Sequence, residues 1–203
     1  MRKEEKTELT RERILIAAMK EFGENGYAGS SLNSICASGI PKGLLYHNFN
    51  SKDALYLACM ERSFGRYVEF MGGQDRENDL KKYMDARFRF FRENEQEARL
   101  IFEAILQPPQ PLRERILSIK AEFEELNRRM YLNVLTQITL REGVSKEEAL
   151  EYFTFVQTMF NGYFCSPAYD NMLFPEKMKK HEERLRRILD YMIYGIAERR
   201  NLK

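Results

Sequence analysis

Side chains with different recognition chemistry follow one another closely between residues 42 and 48, in the stretch KGLLYHN. They supply a cation, a branched apolar group, a phenol, an imidazole and an amide, on Lys42, Leu44, Tyr46, His47 and Asn48. Such a mixture can hydrogen bond to base edges, touch thymine methyl groups and reach phosphates in a major groove about 12 Å wide. The stretch is therefore a candidate reading surface for double-stranded DNA.

A helix would present these groups outward, because Leu45 and Phe49 lie four residues apart and form the opposite, inward side. Two short helical patterns, 32–38 and 42–49, are separated by Gly39-Ile40-Pro41. This spacing is typical of a helix-turn-helix whose second helix is presented to a partner.

Hydroxyl and cationic side chains stand at the starts of the neighbouring helices. Ser30 and Ser31 precede the first helical pattern, where a serine can cap the helix and contact a phosphate oxygen. An ordinary cap that touches no ligand is the alternative. Ser51 is the predicted cap of a further helix that runs to about Phe70, and Lys52 brings a cation to its first turn, where a phosphate would lie.

An amphipathic helix precedes this region, with apolar residues at helical spacing from Thr10 to Gly23. Thr10 is its predicted cap, and the run Gly23-Glu24-Asn25-Gly26 is its predicted end. The sequence thus predicts a three-helix N-terminal domain over residues 1–54, followed by a linking helix at about 51–71.

Residues 10–60 resemble the DNA-binding domain of TetR-family transcriptional regulators. The family has I-x-x-A-A-x-x-x-F and then G-Y in and after its first helix, K-G-x-L-Y-H-x-F in its recognition helix, and S-K followed by D or E at the start of its fourth helix. The matching residues are Ile14, Ala17, Ala18, Phe22, Gly26, Tyr27, Lys42, Gly43, Leu45, Tyr46, His47, Phe49, Ser51, Lys52 and Asp53. The remainder of the chain carries no comparable signature.

The resemblance implies which side chains meet DNA. Those facing bases would be Lys42, Gly43, Leu44, Tyr46 and Asn48, and those holding phosphates would be Ser31, Tyr46, His47 and Lys52. Leu44 stands where the family commonly has a small or hydroxylated residue, and Asn48 where an aromatic residue is frequent, so we expect a base preference of this protein's own. The spacing from Ile35-Cys36 to Gly39 is one residue shorter than the family's, so the pattern fits least well at the end of the second helix.

Composition narrows the function classes. The chain has 203 residues, of which 43% are hydrophobic and 32% charged, with a formal net charge of +2. This near balance excludes a polycation that coats nucleic acid without geometry. The three cysteines, Cys36, Cys59 and Cys165, have no metal-binding spacing and are predicted to be reduced core thiols. The charged N-terminus and the lack of a long apolar stretch predict a cytoplasmic protein with no membrane partner.

Enzymatic chemistry finds no support in the sequence. The chain has two histidines, His47 and His181, and neither has the glutamate three residues earlier that a di-iron bundle needs. Nucleophile motifs such as GxSxG, and phosphate loops such as GxxxxGK followed by Ser or Thr, are absent. We therefore expect no catalytic residue, no metal ion and no cofactor.

Residues 72–203 are predicted to form an all-helical domain. Apolar periodicity predicts helices at 80–92, 95–106, 112–141, 145–164 and 177–200. Gly72-Gly73-Gln74-Asp75 is the predicted joint between the domains, and Ser145 with Glu148 is a predicted capping box. The predicted fold class is all-α, with an N-terminal three-helix helix-turn-helix DNA-binding domain and a C-terminal helical ligand-binding and dimerisation domain.

Large soft side chains in the C-terminal domain form a candidate ligand pocket. They are Phe88, Phe91, Phe102, Phe123, Asn127, Met130, Tyr131, Tyr152, Phe155, Met159 and Phe160. Ordinary core packing is the alternative for each of them. The chain has 14 phenylalanines, 11 tyrosines and no tryptophan, which favours an apolar or aromatic effector over a polyanion.

The last two predicted helices carry the candidate dimer interface. Its residues are Phe153, Phe160, Phe164, Leu185, Ile188, Leu189, Met192, Ile193 and Ile196. The resemblance implies a homodimer, because the last two helices of the family pair with their symmetry mates as a four-helix bundle. Intramolecular packing of this apolar face is the alternative.

Together, the residues and the resemblance predict a repressor that binds a palindromic operator as a homodimer. A small apolar or aromatic effector would release it, and the tilt of the linking helix would carry the signal. The alternative is a helical small-molecule sensor that acts through protein partners without specific DNA binding.

Overall fold

The computed structural model describes residues 3–72 and 79–197 and confirms the all-α prediction. The described ranges contain ten α-helices: α1 (Lys3–Gly29), α2 (Leu32–Ala37), α3 (Lys42–Asn48), α4 (Lys52–Gly72), α5 (Leu80–Glu93), α6 (Glu95–Leu106), α7 (Arg113–Ile119), α8 (Ala121–Leu135), α9 (Lys146–Phe164) and α10 (Phe174–Ile196). The described ranges also contain two 3₁₀ turns, Gln110–Leu112 and Pro167–Tyr169, and one antiparallel bridge between Leu140 and Ala197.

Packing divides the described residues into two compact units. The first unit contains residues 3–66 and 94–120, and the second contains residues 67–72, 79–93 and 121–197. The helix-turn-helix therefore shares its unit with α6 and α7. The boundary predicted at residue 72 separates a DNA-binding domain from an effector-binding domain, and this division stays a prediction. Residues 73–75 of the predicted joint lie outside the described residues.

Capping chemistry marks several helix starts where the sequence predicts them. Ser145 Oγ accepts from the Glu148 amide at 3.0 Å, and Glu148 Oε2 accepts from the Ser145 amide at 2.8 Å, which confirms the capping box of α9. Ser51 Oγ accepts from the Ala54 amide at 3.1 Å at the start of α4. These acceptors satisfy amides that the first turn of a helix leaves without partners.

The predicted start of the first helix is wrong, whereas its break falls within the predicted end, Gly23-Glu24-Asn25-Gly26. α1 begins at Lys3, so Thr10 lies inside the helix and does not cap it. The residues before Thr10 are mostly Lys, Glu and Leu, which favour helix. α1 also passes Gly23 and breaks at Gly26, whose φ of +66° and ψ of 174° lie outside the helical region.

The single helix predicted over 112–141 is two helices. Lys120, with ψ at 0°, separates α7 from α8, and α8 ends at Leu135. The β-branched residues Thr136, Ile138 and Thr139 follow, and they lose side-chain freedom in a helix. Apolar periodicity alone did not reveal these breaks, because the apolar residues on either side keep the helical spacing.

The last helix starts earlier than predicted. α10 begins at Phe174 rather than Lys177, with Pro175 in its first turn, where proline's fixed φ is favourable. α10 ends at Ile196, and residues 198–200 of the predicted helix lie outside the described residues.

A buried ion pair lies in the core of the second unit. Arg87 on α5 and Glu182 on α10 have side chains that are 3% and 2% exposed. Nε and Nη2 of Arg87 donate to Oε2 and Oε1 of Glu182 at 2.7 and 3.1 Å. The rings of Phe91 and Phe123 lie 4.9 and 5.5 Å from the guanidinium carbon. Burial would raise the pKa of Glu182, but the Arg87 charge and hydrogen bonds outweigh it and lower that pKa.

His181 extends this polar cluster to α9. Its Nδ1 lies 3.1 Å from Glu182 Oε1 and its Nε2 lies 3.2 Å from the side-chain amide of Asn161. Burial lowers the pKa of His181, so the ring is neutral at pH 7. A neutral ring carries one N–H, so two hydrogen bonds require the Asn161 amide to present its NH₂ to the second nitrogen.

Arg87→Met should leave the Glu182 carboxylate buried without its partner. We expect the variant to lose about 3–5 kcal/mol of unfolding free energy, measured by urea unfolding followed by circular dichroism. Arg186→Met is the matched control, because Arg186 pairs with Asp85 where the two side chains are 40% and 56% exposed. It should cost less than about 1 kcal/mol. Equal losses of unfolding free energy in the two variants would show that breaking the buried pair costs no more than breaking the exposed pair.

Candidate nucleic-acid interface

A glycine, a proline and a few backbone hydrogen bonds form the turn between α2 and α3. Gly39 has a φ of +96°. The amides of Gly39 and Ile40 donate to the Cys36 carbonyl at 3.1 and 3.2 Å, and the Leu45 amide donates to the Pro41 carbonyl at 3.1 Å. This geometry confirms the predicted helix-turn-helix, with an α2 of only six residues.

Buried apolar side chains pack both short helices against the rest of the first unit. Ile35, Ile40, Leu45 and Phe49 are at most 6% exposed. The guanidinium of Arg11 lies over the Phe49 ring, 4.5 Å from its centroid. Full burial of such a side chain contributes about 1.5–3 kcal/mol. That contribution holds in place two helices that are too short to be stable alone.

Most of the predicted reading residues lie on the exposed side of α3. The exposed ones are Lys42, Gly43, Leu44, Tyr46 and His47. Leu44 and Tyr46 keep 36% and 46% of their surface. Asn48 is half-buried, and its Nδ2 donates to the Leu44 carbonyl at 2.8 Å, so part of its hydrogen-bonding capacity is used within α3.

Ser30 and Ser31 have different environments. Ser31 is exposed and caps α2 together with Ser34, because its Oγ accepts from the Ser34 amide at 3.0 Å and Ser34 Oγ accepts from the Ser31 amide at 3.1 Å. Ser30 is buried, and its hydroxyl donates to the Gly26 carbonyl at 2.7 Å. Of the two serines, Ser31 is therefore the one that a phosphate can reach.

An aromatic ring holds Lys52 at the first turn of α4. Lys52 Nζ lies 4.4 Å from the centroid of the Tyr27 ring, and the Tyr27 hydroxyl donates to Asp53 Oδ1 at 2.6 Å. This hydrogen bond, together with burial, raises the pKa of Tyr27 to about 12, so the phenol keeps its proton. The sequence gives no sign that Tyr27 orients Lys52, because the contact joins distant parts of the chain.

No group of three or more His, Cys, Asp or Glu side chains among residues 3–72 and 79–197 is placed to hold a metal ion. The cysteines are free thiols, and burial raises the pKa of Cys59 to about 12. None of the described helices has the length and apolar character needed to cross a bilayer.

The eleven predicted pocket residues do not share one environment. Phe102 is buried in the first unit, and the other ten belong to the second. There, Phe91 and Phe123 flank the buried Arg87 guanidinium. Asn127, Met130, Tyr131 and Phe160 are also buried and Phe88 is half-buried, whereas Tyr152, Phe155 and Met159 are 47%, 61% and 58% exposed. The second unit therefore divides this set between its core and the exposed side of α9.

Seven of the nine predicted interface residues are buried within the chain. They are Phe153, Phe160, Phe164, Leu185, Leu189, Met192 and Ile196, while Ile188 and Ile193 are half-buried. Side chains buried in this way are not available to a second copy. Periodicity detects an apolar stripe on a helix, but it does not tell which of two stripes faces the helix's own chain.

A second apolar face on α9 and α10 is exposed, and we call it the outer aromatic face. It consists of Tyr152, Phe155, Met159, Tyr163, Tyr191 and Tyr194, which are 47–68% exposed. A groove of about 440 Å³ lies on this face, and its lining includes Met159, Ile188 and Tyr191. These side chains, and not the buried stripe, are the ones a partner can contact.

Comparison with known proteins bears on the helix-turn-helix directly. The family model described as "Bacterial regulatory proteins, tetR family" matches residues 14–59, which include α2, α3 and the start of α4. Residues 14–59 are a TetR-family segment. The matched segment contains all nine predicted DNA-contact residues, including Ser31, Tyr46 and Lys52, so the family match and the geometry point to the same surface.

Two curated relatives are similar to part of this chain. The HTH-type transcriptional regulator UidR of Escherichia coli K12 is 45% identical over 69 residues, which are 32% of this chain and 35% of UidR. The HTH-type transcriptional activator FasR of Mycolicibacterium smegmatis is 33% identical over 99 residues, 46% of this chain and 45% of FasR. The chain thus spans less than half the length of these two relatives.

The fold of the chain is similar to that of FadR, a fatty acid degradation regulator from Bacillus halodurans. The superposition has a TM-score of 0.64 at 17% identity and covers 89% of this chain and 94% of FadR. At that identity the likeness concerns the fold alone. It supports an N-terminal helix-turn-helix domain followed by a helical domain.

Gly39→Ala should destabilise the protein through backbone strain alone. Gly39 has a positive φ, and no atom lies within 4 Å of the position of an added Cβ. A left-handed conformation costs a non-glycine residue about 1–2 kcal/mol, and we expect that loss in urea unfolding. Gly43→Ala is the matched control, because Gly43 also has open space but no positive φ. It should be neutral or stabilise α3 by up to about 1 kcal/mol, and a similar loss in both variants would contradict the strain.

Proposed function

We propose that the protein is a DNA-binding transcriptional regulator that reads its operator with the exposed side of α3. One observation carries the proposal: Leu45 and Phe49 anchor α3 from within, while the side chains of Lys42, Leu44, Tyr46 and His47 are exposed. A helix presented in this way suits the major groove, where side chains reach base edges. The TetR-family match over residues 14–59 supports the same function.

The exposed groups have roles that suit their chemistry. Leu44 offers an apolar contact to a thymine methyl group, and Tyr46 combines a ring with a hydroxyl. Ser31 and Lys52 would hold phosphates at the starts of α2 and α4. Residues 1–60 contain 8 basic and 7 acidic residues, a net charge of +1. Affinity would therefore depend on a few well-placed contacts rather than on general attraction to DNA.

A homodimer would duplicate these contacts. We propose that it forms through the outer aromatic face, because a contiguous exposed patch of large apolar side chains is typical of protein interfaces. Arg184 and Arg187 also line the groove on this face and would supply a polar rim. Two recognition helices related by a twofold axis match a palindromic operator.

A small apolar or aromatic effector is the proposed signal, and occlusion of a promoter is the proposed result of operator binding. α4 is continuous from Lys52 to Gly72, with its start in the first unit and its last turn in the second. An effector bound by the second unit would release DNA only if it binds the DNA-competent and released arrangements with unequal affinity. Such a regulator would act in the cytoplasm, where bacterial DNA lies.

Selection from a pool of duplexes tests the proposal directly. The duplexes would carry a random centre long enough for two half-sites one helical turn or more apart. The protein should enrich palindromes and shift them in gel electrophoresis. A failure to enrich any sequence would favour the alternative, a helical small-molecule sensor that acts through protein partners without specific DNA binding.

Tyr46→Ala should weaken operator binding without unfolding the protein. It removes a groove contact and a phosphate contact, so we expect a loss of about 1–3 kcal/mol per head, measured by fluorescence anisotropy on a selected duplex. Tyr46→Phe keeps the ring and should recover that part of the loss. Both variants should melt like the parent, because the side chain is 46% exposed. Parent-like affinity of Tyr46→Ala would exclude α3 as the reading helix.

Phe155→Glu should dissociate the proposed homodimer, because it introduces a charge that the apolar interface leaves without a partner. Light scattering should give a dimer mass for the parent and a monomer mass for the variant. Leu173→Glu is the matched control, since Leu173 is 76% exposed and lies outside the outer aromatic face. The assignment of this face fails if both variants stay dimeric.

A further inference from the structure

Glu103 on α6 contacts two residues of the helix-turn-helix region. Its Oε1 accepts from the Tyr27 amide at 2.9 Å, and its Oε2 accepts from the Tyr56 hydroxyl at 2.8 Å. Tyr27 follows the break in α1, and Tyr56 lies in the second turn of α4. Glu103 itself lies outside the segment 14–59 that the family model matches, so that match assigns it no role.

The break at Gly26 explains why a carboxylate is needed at this point. Amides that follow a helix break lack the usual acceptor one turn earlier. The Tyr27 amide is the first such group, and Glu103 accepts from it. A Cβ on Gly26 would lie only 3.1 Å from Glu103 Oε1, so the glycine also gives the carboxylate room to approach.

The approach of α6 to α1 fixes the position of this carboxylate. Arg99 and Gln96 lie one and two turns before Glu103 on the same side of α6. Arg99 Nη1 donates to the Gly23 carbonyl at 3.4 Å, and a Cβ on Gly23 would collide with the Gln96 side chain. The missing side chain at Gly23 therefore allows the close contact that places Glu103 at the break.

Tyr27 connects Glu103 to the cation at the start of α4. Glu103 holds the backbone of Tyr27, the Tyr56 ring packs against the Tyr27 ring at 5.0 Å, and Asp53 accepts from the hydroxyl at 2.6 Å. Because its backbone, ring and hydroxyl are all in contact with other groups, the Tyr27 ring has a fixed position. The Lys52 ammonium lies over this ring, 4.4 Å from its centroid. A cation placed over the face of an aromatic ring is attracted to it.

We propose that Glu103 is a positioning residue for DNA binding, which fixes Tyr27 and through it holds Lys52 where the phosphate backbone is bound. This inference rests on the proposed DNA-binding function. It assigns part of the DNA-contact geometry to a helix that touches no DNA in the proposal. A lysine side chain left unsupported has more conformations to lose on binding, so its phosphate contact is weaker.

The test uses the full-length protein and the duplex that the parent enriches from the random pool. Fluorescence anisotropy over a series of KCl concentrations gives the affinity and its salt dependence for Glu103→Ala, Lys52→Ala and the double variant. We expect Glu103→Ala to lose about tenfold in affinity. The slope of log affinity against log salt concentration should become shallower and approach that of Lys52→Ala. The slope should fall by about 0.9 for each phosphate contact that is lost. The double variant should bind within about twofold of Lys52→Ala, because the two changes remove the same contact.

Two further variants separate positioning from folding. Glu103→Asp keeps the charge but shortens the reach, so it should lose affinity in the same direction even if Glu103→Ala is poorly folded. Glu103→Gln keeps an acceptor for the Tyr27 amide and should bind within about threefold of the parent. Glu114→Ala is the control in the same unit, since Glu114 is exposed on α7 and makes none of the contacts described above; it should bind like the parent.

Three results would overturn the inference. The first is parent-like affinity of both Glu103→Ala and Glu103→Asp. The second is a double variant whose loss of affinity is the full sum of the losses in Glu103→Ala and Lys52→Ala. The third is a loss of affinity in Glu103→Ala with unchanged salt dependence. In each case the parent still binds its duplex and the proposed function stands. A parent that enriches no duplex removes both proposals together.

Discussion

Burial of Leu45 and Phe49 decides whether α3 exists, because a seven-residue helix is far shorter than the length at which isolated helices are stable in water. The six-residue α2 depends on Ile35 in the same way. The support comes from longer helices, in which Phe22 of α1 and Tyr56 of α4 meet edge to face at 5.0 Å and are buried. The candidate reading surface is therefore only as well ordered as the packing of α1 against α4.

The second unit meets a different constraint, since its core holds charges. An ion pair between Arg87 and Glu182 adds little net stability compared with apolar residues of the same size, because both charges lose their water. The pair is directional, however. Its two parallel hydrogen bonds are made in one register of α5 against α10, whereas apolar contacts allow several. We infer that its value lies in fixing that register, with Tyr67 and His181 completing the hydrogen bonds.

The sequence predicts those features that depend on local chemistry. The caps at Ser51 and Ser145 are found, and the helix-turn-helix has the predicted inward and outward sides. Features that join distant segments leave no local signal, as the bond from Glu103 to the Tyr27 amide shows. α9 adds a further case: it is apolar on two sides, so periodicity could not indicate that Phe155 faces outward. Which partners the exposed residues meet stays a prediction.

The outward side of α3 carries a consequence for how this scaffold evolves. Leu44, Tyr46 and His47 are exposed, and substitutions at exposed positions that do not cap a helix or fill a core usually change stability by less than about 0.5 kcal/mol. After a gene duplication, these positions can change while both copies still fold. Under the proposed function, new operator preferences can then be sampled one residue at a time, without compensating mutations elsewhere in the chain.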